Sequence, residues 1–205
     1  MPADAGGDRA RPALFLDRDG TLIADAHYLA DASRVRLLRG AARAVARANA
    51  AARPVIVVTN QSGIARGLIT HEQYRQVLAR TNALLAEGGG HVDATYHCPH
   101  WADVTGPCDC RKPLLGMYQQ AAREHALLLS GSVYVGDRWS DVQPAITTGG
   151  VGILVPGVET SADDVETARS ALSDRLFMVE SIGEAVSVAL AMLTERDEQG
   201  ESACA

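Results

Sequence analysis

Residues 13–21 read ALFLDRDGT, and this stretch decides the fold of the chain. The apolar residues 13–16 predict a short buried strand that ends at Asp17. Asp17 and Asp19 are two positions apart on an extended strand end, so their carboxylates should point to the same side, toward one ligand. Gly20 permits the tight turn that follows. A solvated loop with an Asp-Gly turn is the alternative, since two aspartates at this spacing are common.

Strands and helices alternate along the rest of the chain. The predicted strands cover residues 13–16, 55–59, 94–97, 132–135, 151–155 and 177–179. The predicted helices cover residues 39–51, 70–87, 116–125, 141–148 and 182–193. Repeated β-α units predict an α/β fold, a doubly wound and mostly parallel sheet of Rossmann-like type. Ligands bind beyond the carboxyl ends of such strands, where Asp17, Thr59 and Asp137 stand.

Length and composition predict one globular domain. The 205 residues are 47% hydrophobic and 21% charged, and we place the domain at residues 13–193, with poorly ordered ends at 1–12 and 194–205. The net charge of −6 disfavours a nucleic acid partner. The sequence has no apolar run that could cross a bilayer, and residues 1–12 lack the apolar core of a signal peptide. We therefore expect a cytoplasmic protein without a membrane partner. The single domain favours a monomer.

Residues 59–63 read TNQSG and follow the most apolar predicted strand. The Thr59 hydroxyl and the amides of Asn60 and Gln61 could bind phosphoryl oxygens without adding charge. An ordinary Asn/Ser/Gly turn is the alternative. Lys112 is the one lysine among nineteen basic residues, which indicates that a compact ammonium is needed there.

Residues 136–141 read GDRWSD and follow another predicted strand. Asp137 could bind Mg²⁺ together with Asp17 and the backbone carbonyl of Asp19, since oxygen ligands suit this ion. Asp141 could stabilise the loop, bind the ion through water, or simply be a carboxylate at a helix N-terminus.

A cluster of cysteine and histidine residues lies between the third and fourth predicted strands. Cys98, His100, Cys108 and Cys110 have the spacing C-x-H-x7-C-x-C, and three thiolates with one imidazole complete a tetrahedral Zn²⁺ shell. Four protein ligands leave no open position, so we predict a structural Zn²⁺ site. Free cysteines in a loop are the alternative. The site would hold Arg111 and Lys112 in register.

The four motifs, in this order between Asp17 and Asp141, resemble those of the haloacid dehalogenase (HAD) superfamily. The resemblance covers about residues 14–193 and implies a Mg²⁺-dependent phosphatase. It implies that Asp17 is the nucleophile and Asp19 the general acid and base, with Thr59 and Lys112 in the catalytic set. Asp19 favours a phosphatase or phosphomutase, because ion-pumping members have Thr there and dehalogenases lack the acid.

The Cys/His loop that runs into Arg111 and Lys112 is similar to one branch of the superfamily. This branch contains the D-glycero-D-manno-heptose 1,7-bisphosphate 7-phosphatases, of ADP- or GDP-heptose biosynthesis, and the histidinol-phosphate phosphatases. Residues 59–67 are similar to the heptose enzymes. Histidinol phosphatases tend to have an acidic residue where Ser62 stands, and no arginine like Arg66.

The resemblance to the branch also implies a substrate-binding set. Its members are Asp25, Ala26, His27, Tyr28, Thr59, Asn60, Gln61, Ser62, Arg66, Arg111, Lys112 and Arg138. The sequence departs from the branch at Ala26 and at Arg138, where the family often has Lys. A small sugar bisphosphate as substrate would explain the arginines, because the phosphate that does not react needs a bidentate partner such as Arg111 or Arg66.

Three alternatives to a heptose bisphosphate phosphatase remain open. A histidinol-phosphate phosphatase, or another small-molecule phosphatase of the branch, would share every motif. A zinc-stabilised binding module that has lost catalysis would not need the intact aspartates and Lys112. A polynucleotide 3′-phosphatase would need a basic stripe, which the sequence does not contain.

Overall fold

The computed structural model describes residues 10–202, and the side chains of residues 10–194. The six strands are β1 (Leu14–Leu16), β2 (Val55–Asn60), β3 (Ala94–Cys98), β4 (Val133–Gly136), β5 (Val151–Leu154) and β6 (Leu176–Met178). The helices are α1 (Ala41–Ala50), α2 (His71–Glu87), α3 (Ala102–Thr105), α4 (Gly116–His125), α5 (Trp139–Val142), α6 (Pro144–Thr148), α7 (Ala162–Ser170) and α8 (Ile182–Ser202). Two short 3₁₀ helices cover Ala32–Arg34 and Leu129–Gly131.

The strands form one parallel sheet in the order β3-β2-β1-β4-β5-β6. Leu14 of β1 is paired with Val55 of β2 on one side and with Val133 of β4 on the other. The chain therefore builds outward from β1 to β3 and then returns across β1 to β4. Ligands of open α/β sheets bind at this kind of switch point, beyond the carboxyl ends of the strands.

Helices cover both faces of the sheet, as predicted for a doubly wound fold. Alternation along β1 explains the two layers, because Leu14 and Leu16 pack on one face and Phe15 on the other. The first face is covered mainly by α1 and α8, and the second by α4, whose Tyr118 contacts Phe15 edge-on with ring centroids 5.2 Å apart. Burial on both faces explains why β1 and β2 are continuous apolar runs.

Most predicted elements occur, with ends that shift by one or two residues. The capping box of α2 is confirmed, since Thr70 Oγ1 accepts from the amide of Gln73 at 3.1 Å and the Gln73 side chain accepts from the amide of Thr70 at 2.8 Å. The predicted helix 141–148 is two helices, α5 and α6. Pro144 separates them because it lacks the N–H that would continue the first.

The structure differs from the prediction in the short helix α3, in α7 and at the chain ends. Helix α7 was not predicted, because it buries only Ala168 and has a polar sequence; Ser161 caps it by accepting from the amide of Asp164 at 3.1 Å. Arg11 is ordered beside α4, where its amide donates to the carbonyl of Ala126 at 3.0 Å. Helix α8 continues beyond the predicted end at residue 193 to Ser202. The rest of the predicted poorly ordered ends, residues 1–9 and 203–205, lies outside the described residues.

No helix within the described residues combines the length and the apolar character that a bilayer span requires.

Candidate active site

Four charged side chains from distant parts of the chain meet at the carboxyl ends of β1 and β4. Asp17 follows β1, Asp137 follows β4, Asp141 lies in α5, and Lys112 comes from the loop before α4. All four are buried, with 1–7% of each residue exposed. The switch point of the sheet brings together motifs that the sequence places far apart, as predicted.

Lys112 contacts the motif that follows β1, through Asp17, and the motif that follows β4, through Asp141. Its Nζ donates to Asp17 Oδ1 at 2.6 Å and to the carbonyl of Val58 at 2.7 Å, and lies 2.7 Å from Asp141 Oδ1. Burial by itself would lower the pKa of Lys112, but the carboxylates of Asp141 and Asp17 raise it above its ordinary value. The Lys112 backbone is fixed by Asn60, whose Oδ1 accepts from the Lys112 amide at 3.0 Å. The ammonium is therefore charged and held in place.

Asp137 is the group that this site leaves without a partner. Neither of its carboxylate oxygens has a hydrogen-bond partner among the described residues, although both are buried. Burial, together with the charges of Asp17 and Asp141, raises the pKa of Asp137 to about 8. Burial also raises the pKa of Asp17 to about 7, against the opposing effect of Lys112. Lys112 balances Asp17, whereas Asp137 has no hydrogen-bond partner among the described residues, so a cation bound beside it would balance its charge.

The geometry fits a small hard cation. One carboxylate oxygen from each of Asp17, Asp137 and Asp141 lies within 4.8 Å of the others. Both oxygens of Asp141 already have partners, since Lys112 lies beside Oδ1 and the amide of Arg138 donates to Oδ2 at 3.0 Å. Asp17 and Asp137 are therefore the side chains free to bind the ion directly. The side chain of Asp19 is not part of this group of three carboxylates. We predicted that Asp19 binds the ion through its backbone carbonyl.

Two glycines make room for these carboxylates. Gly20 has φ +81°, and a Cβ there would lie 2.3 Å from Asp137 Oδ2. A Cβ on Gly136 would lie 2.2 Å from Cβ of Asp141. Gly20 is thus required for the clearance of the Asp137 carboxylate as well as for the predicted turn.

Asp19 is held beside the cluster by three donors. Gln61 Nε2 donates to Asp19 Oδ2 at 2.8 Å, Thr59 Oγ1 lies 3.4 Å from the same oxygen, and Arg18 forms an ion pair at 2.9 Å. Thr59 and Gln61 thus contact Asp19 in the absence of substrate, whereas the sequence predicted them as phosphate ligands. The contact with Arg18 was not predicted, because arginine is usually a surface residue.

The cluster forms the floor of a cleft of about 370 Å³. The cleft walls include every predicted substrate-binding residue except Ala26 and Arg66. Arg18, Leu29 and Ser140 were not predicted and also line the cleft. Leu29 could not be identified from the sequence, because an apolar residue after a loop is normally part of the core.

Arg138 and Asp25 form one wall of the cleft. Arg138 Nη2 lies 3.1 Å from Asp25 Oδ2, and Asp25 Oδ1 accepts from the amide of His27 at 3.0 Å. His27 and Tyr28 have positive φ angles of 41° and 56°, a backbone shape that turns the loop over the site. Gly63 lies beneath Tyr28, and a Cβ on Gly63 would come within 2.5 Å of the ring.

A second wall of the cleft contains Arg111, and Arg66 lies beside it across one aromatic ring. The guanidinium carbons of Arg66 and Arg111 lie 5.4 and 5.0 Å from the ring centroid of Trp101. Arg66 also contacts Tyr28, through the ring and through a short hydrogen bond to the hydroxyl. The two arginines that were predicted for the second phosphate thus share Trp101, which the sequence did not single out.

The predicted Zn²⁺ ligands come together beside the second wall. Cys110 Sγ lies 3.1 Å from Cys98 Sγ and 3.1 Å from His100 Nδ1, and one ligand atom from each of the four residues lies within 4.8 Å of the others. This group could hold a metal ion. Its loop contacts the site directly, because the amide of Gln61 donates to the carbonyl of Cys98 at 2.7 Å. His97 lies outside the group and stacks on Tyr74, with ring centroids 4.3 Å apart.

Comparison with known proteins identifies relatives of this chain. The family model described as HAD-hydrolase-like matches residues 109–185. A D-glycero-beta-D-manno-heptose-1,7-bisphosphate 7-phosphatase from Mesorhizobium japonicum is 39% identical over 183 residues, which cover 84% of each chain. The enzyme of the same name from Photorhabdus laumondii is 38% identical over 139 residues, 65% of this chain and 74% of the relative.

A solved structure shares the fold. The D,D-heptose 1,7-bisphosphate phosphatase from B. bronchiseptica, complexed with magnesium and phosphate, superposes with a TM-score of 0.76 at 33% sequence identity. The match covers 88% of this chain and 98% of that one. The predicted resemblance is therefore confirmed over nearly the whole length of the relative.

Proposed function

Since this chain belongs to the HAD-like hydrolase family and is a phosphomonoesterase of that family, we propose that it removes the C7 phosphate of D-glycero-D-manno-heptose 1,7-bisphosphate with the help of Mg²⁺. The observation that carries the proposal is the buried set of Asp17, Lys112 and Asp137, in which the oxygens of Asp137 have no hydrogen-bond partner among the described residues. We propose that the reaction belongs to the biosynthesis of ADP- or GDP-heptose. We also propose that the protein is a cytoplasmic monomer.

Asp17 attacks the phosphorus in the first step. One carboxylate oxygen of Asp17 forms the new bond to phosphorus, while Lys112, whose Nζ lies 2.6 Å from Oδ1, offsets the charge of the nucleophile. As that bond forms, the bond between phosphorus and the C7 oxygen breaks, and Asp19 gives its proton to the leaving oxygen. Asp17 is then phosphorylated.

Water completes the reaction. Asp19, now a carboxylate, removes a proton from water, and the resulting hydroxide attacks the phosphorus on Asp17. The bond between phosphorus and Asp17 breaks, and phosphate leaves. Bound Mg²⁺, held by Asp17, Asp137 and the backbone carbonyl of Asp19, would offset the negative charge of the phosphate and the carboxylates. Lys112 contributes a fixed positive charge on the other side of Asp17.

The second phosphate gives the proposal its substrate. Arg111 lines the cleft and offers a planar pair of donors, which suits a phosphate better than the point charge of a lysine. The names of the relatives favour the heptose bisphosphate over histidinol phosphate, and they specify the beta anomer. A module without catalysis would have no reason to keep a buried, unpartnered Asp137.

A comparison of substrates tests this function. The purified protein should hydrolyse the β-heptose 1,7-bisphosphate with Mg²⁺ and lose that activity in EDTA. We expect kcat/KM for this substrate to exceed that for histidinol phosphate by about two orders of magnitude, the value of one charge-assisted phosphate contact. Equal or better hydrolysis of histidinol phosphate would transfer the assignment to that substrate. Hydrolysis of neither, under the same conditions, would overturn both.

We also propose that Cys98, His100, Cys108 and Cys110 bind a structural Zn²⁺ ion. The four-residue set and its short distances suit a closed tetrahedral site, in which about one Zn²⁺ per chain is expected on metal analysis. Cys108→Ser should lower the melting temperature and reduce activity indirectly through Arg111 and Lys112. Full activity of zinc-stripped protein, assayed with Mg²⁺ restored, would show that the loop does not need the ion.

A further inference from the structure

Arg18 is buried directly behind the proposed acid and base. Only 2% of the residue is exposed, which is exceptional for an arginine. A buried guanidinium is costly unless a partner balances its charge, and its ion-pair partner here is Asp19. The sequence order Asp17-Arg18-Asp19 places the cation between the two carboxylates along the chain, yet its contacts are with Asp19 and not with Asp17.

The contact fixes Asp19 through both of its oxygens. Arg18 Nε lies 3.3 and 3.2 Å from Oδ1 and Oδ2, and Nη2 lies 3.0 and 2.9 Å from the same two atoms. A planar guanidinium that spans both oxygens defines the orientation of the carboxylate plane, which a single hydrogen bond would not. The side chain of Asp19 stays 22% exposed, so its front remains open to the cleft.

Arg18 also contacts the aromatic ring of Tyr74. The Arg18 guanidinium carbon lies 5.3 Å from the ring centroid of Tyr74, and the ring of His97 lies against Tyr74, tilted by 31° with ring centroids 4.3 Å apart. Arg18 is thus held by a cation–π contact as well as by its ion pair with Asp19.

The donors around Asp19 distinguish its two oxygens. Oδ2 accepts from Gln61 Nε2 at 2.8 Å and Arg18 Nη2 at 2.9 Å, with Thr59 Oγ1 at 3.4 Å, so its lone pairs are occupied. Oδ1 contacts only Arg18 among the described residues. An oxygen with a free lone pair is the one that can carry the proton to and from a ligand in the cleft.

We infer that Arg18 is a positioning residue for Asp19, which holds the carboxylate so that Oδ1 transfers the proton in both steps. This inference rests on the proposed function, in which Asp19 protonates the leaving alkoxide and later activates water. Among the described residues, the hydrogen bonds of Arg18 are with Asp19 alone. Its loss should therefore matter mainly where a proton must move.

The leaving group provides a readout that a merely structural role would not change. A sugar alkoxide must be protonated as it leaves, whereas p-nitrophenolate is a stable anion that needs no proton. In Arg18→Met, we expect the rate of aspartyl-phosphate formation from the heptose bisphosphate to fall by about 10²-fold, within the range of general acid catalysis. Formation from p-nitrophenyl phosphate should fall by less than about threefold, since the acid makes little contribution there. Hydrolysis of the aspartyl phosphate should still be slowed, because Asp19 activates the water in that step. Nitrophenolate should therefore be released in a burst that is followed by slower steady-state turnover.

A double-mutant cycle separates this role from general damage. If Arg18 acts through Asp19, Arg18→Met should cost less than about threefold in the background of Asp19→Asn, where there is no acid to position. Arg75→Met removes a matched but exposed arginine of α2 and should leave both substrates unaffected. Melting temperatures and zinc content of each variant show whether it is folded.

Each outcome decides the inference. Loss on the sugar phosphate alone, together with the non-additive cycle, supports it. Equal loss on both substrates by a folded variant, additive loss in the cycle, or no loss would overturn the role of Arg18 while leaving the proposed function intact, provided that the wild type hydrolyses the sugar phosphate. No hydrolysis by the wild type would overturn both.

Discussion

The two ends of the cleft are built in different ways. At the reacting end, Asp17, Lys112 and Asp137 are at most 7% exposed and are placed by strand ends and main-chain contacts. At the other end, His27 and Tyr28 are exposed on a loop, where the Tyr28 ring contacts Arg66 and His27 Nε2 lies 3.7 Å from Glu159. Arg111 links the two ends, because it is the neighbour of Lys112 and stacks on Trp101.

The difference shows how one chain separates chemistry from selection. The sheet defines the reacting end, so a substitution there should change the rate for every phosphate ester. The loops define the far end, so a substitution there should change the choice among esters. Four predictions test this division, in order of decreasing effect.

Asp17→Asn should have the largest effect. An amide cannot form the bond to phosphorus, so turnover of every substrate should fall by at least about 10³-fold. The fold should survive, since Lys112 keeps its contacts with Asp141 and the carbonyl of Val58. Steady-state kinetics, with zinc content and melting temperature as controls, check this. Residual turnover near the wild-type rate would remove Asp17 from its role.

Asp137→Asn should abolish the response to Mg²⁺ and yet stabilise the metal-free protein. Burial raises the pKa of Asp137 to about 8 in the folded protein from an ordinary value of 3.8, so the folded state binds the extra proton between these values. The stability of the metal-free wild type should therefore fall as the pH rises through this window, and the amide should remove this contribution. At pH 9 the variant should be more stable by roughly 1–3 kcal/mol, the cost of a buried unpaired group.

Urea unfolding in EDTA at pH 5 and pH 9 measures that change. Asp163→Asn, an acidic substitution on the polar helix α7, is the control that should show no such difference. A variant less stable than the wild type at pH 9 would mean that Asp137 has a stabilising partner in the metal-free protein.

Arg111→Ala should separate substrates rather than stop the reaction. We expect kcat/KM for the bisphosphate to fall by about one to two orders of magnitude, or roughly 1.5–3 kcal/mol, because one guanidinium contact with the remote phosphate is lost. A monophosphate analogue without that phosphate should lose little. Equal losses on both would assign Arg111 to the reacting phosphate and would weaken the heptose assignment. Arg66→Ala is the matched comparison, and should have a smaller effect, since Arg66 does not line the cleft.

Trp101→Leu should have the smallest effect and the most selective one. The ring holds two guanidinium groups, and each such contact contributes about 0.5–1 kcal/mol at an exposed position. We expect KM for the bisphosphate to rise by about three- to tenfold with kcat unchanged, and Trp101→Tyr to restore it. A fall in kcat for a monophosphate would show that the far wall also supports the chemistry.

The same division explains what the sequence predicted. Buried strands such as β2 are apolar runs that periodicity detects, and the aspartates at their ends follow from the rule for parallel sheets. Helix α7 was missed because it is polar and buries only Ala168, so its burial pattern is weak. Arg18 and Trp101 were missed for another reason. Their roles depend on neighbours that are distant in sequence, such as Tyr74 for Arg18 and Arg66 for Trp101.

Asp141 shows most clearly what could not be predicted from the sequence. The sequence left its role open between loop stabilisation, contact through water and a helix terminus. The structure gives it an ion pair with Lys112 at 2.7 Å and a hydrogen bond from the amide of Arg138. Neither contact follows from local spacing, because Lys112 belongs to another motif.

The position of β1 at the centre of the sheet has a consequence for the newborn chain. Asp17 leaves the ribosome before β4 and Asp137, which follow ~120 residues later, or about 6–24 s at 5–20 residues per second. Until then β1 can pair only with β2, and one of its edges is open. The nascent protein therefore has no complete metal site, and a ribosome that stalls before β4 leaves an apolar strand edge for chaperones to cover.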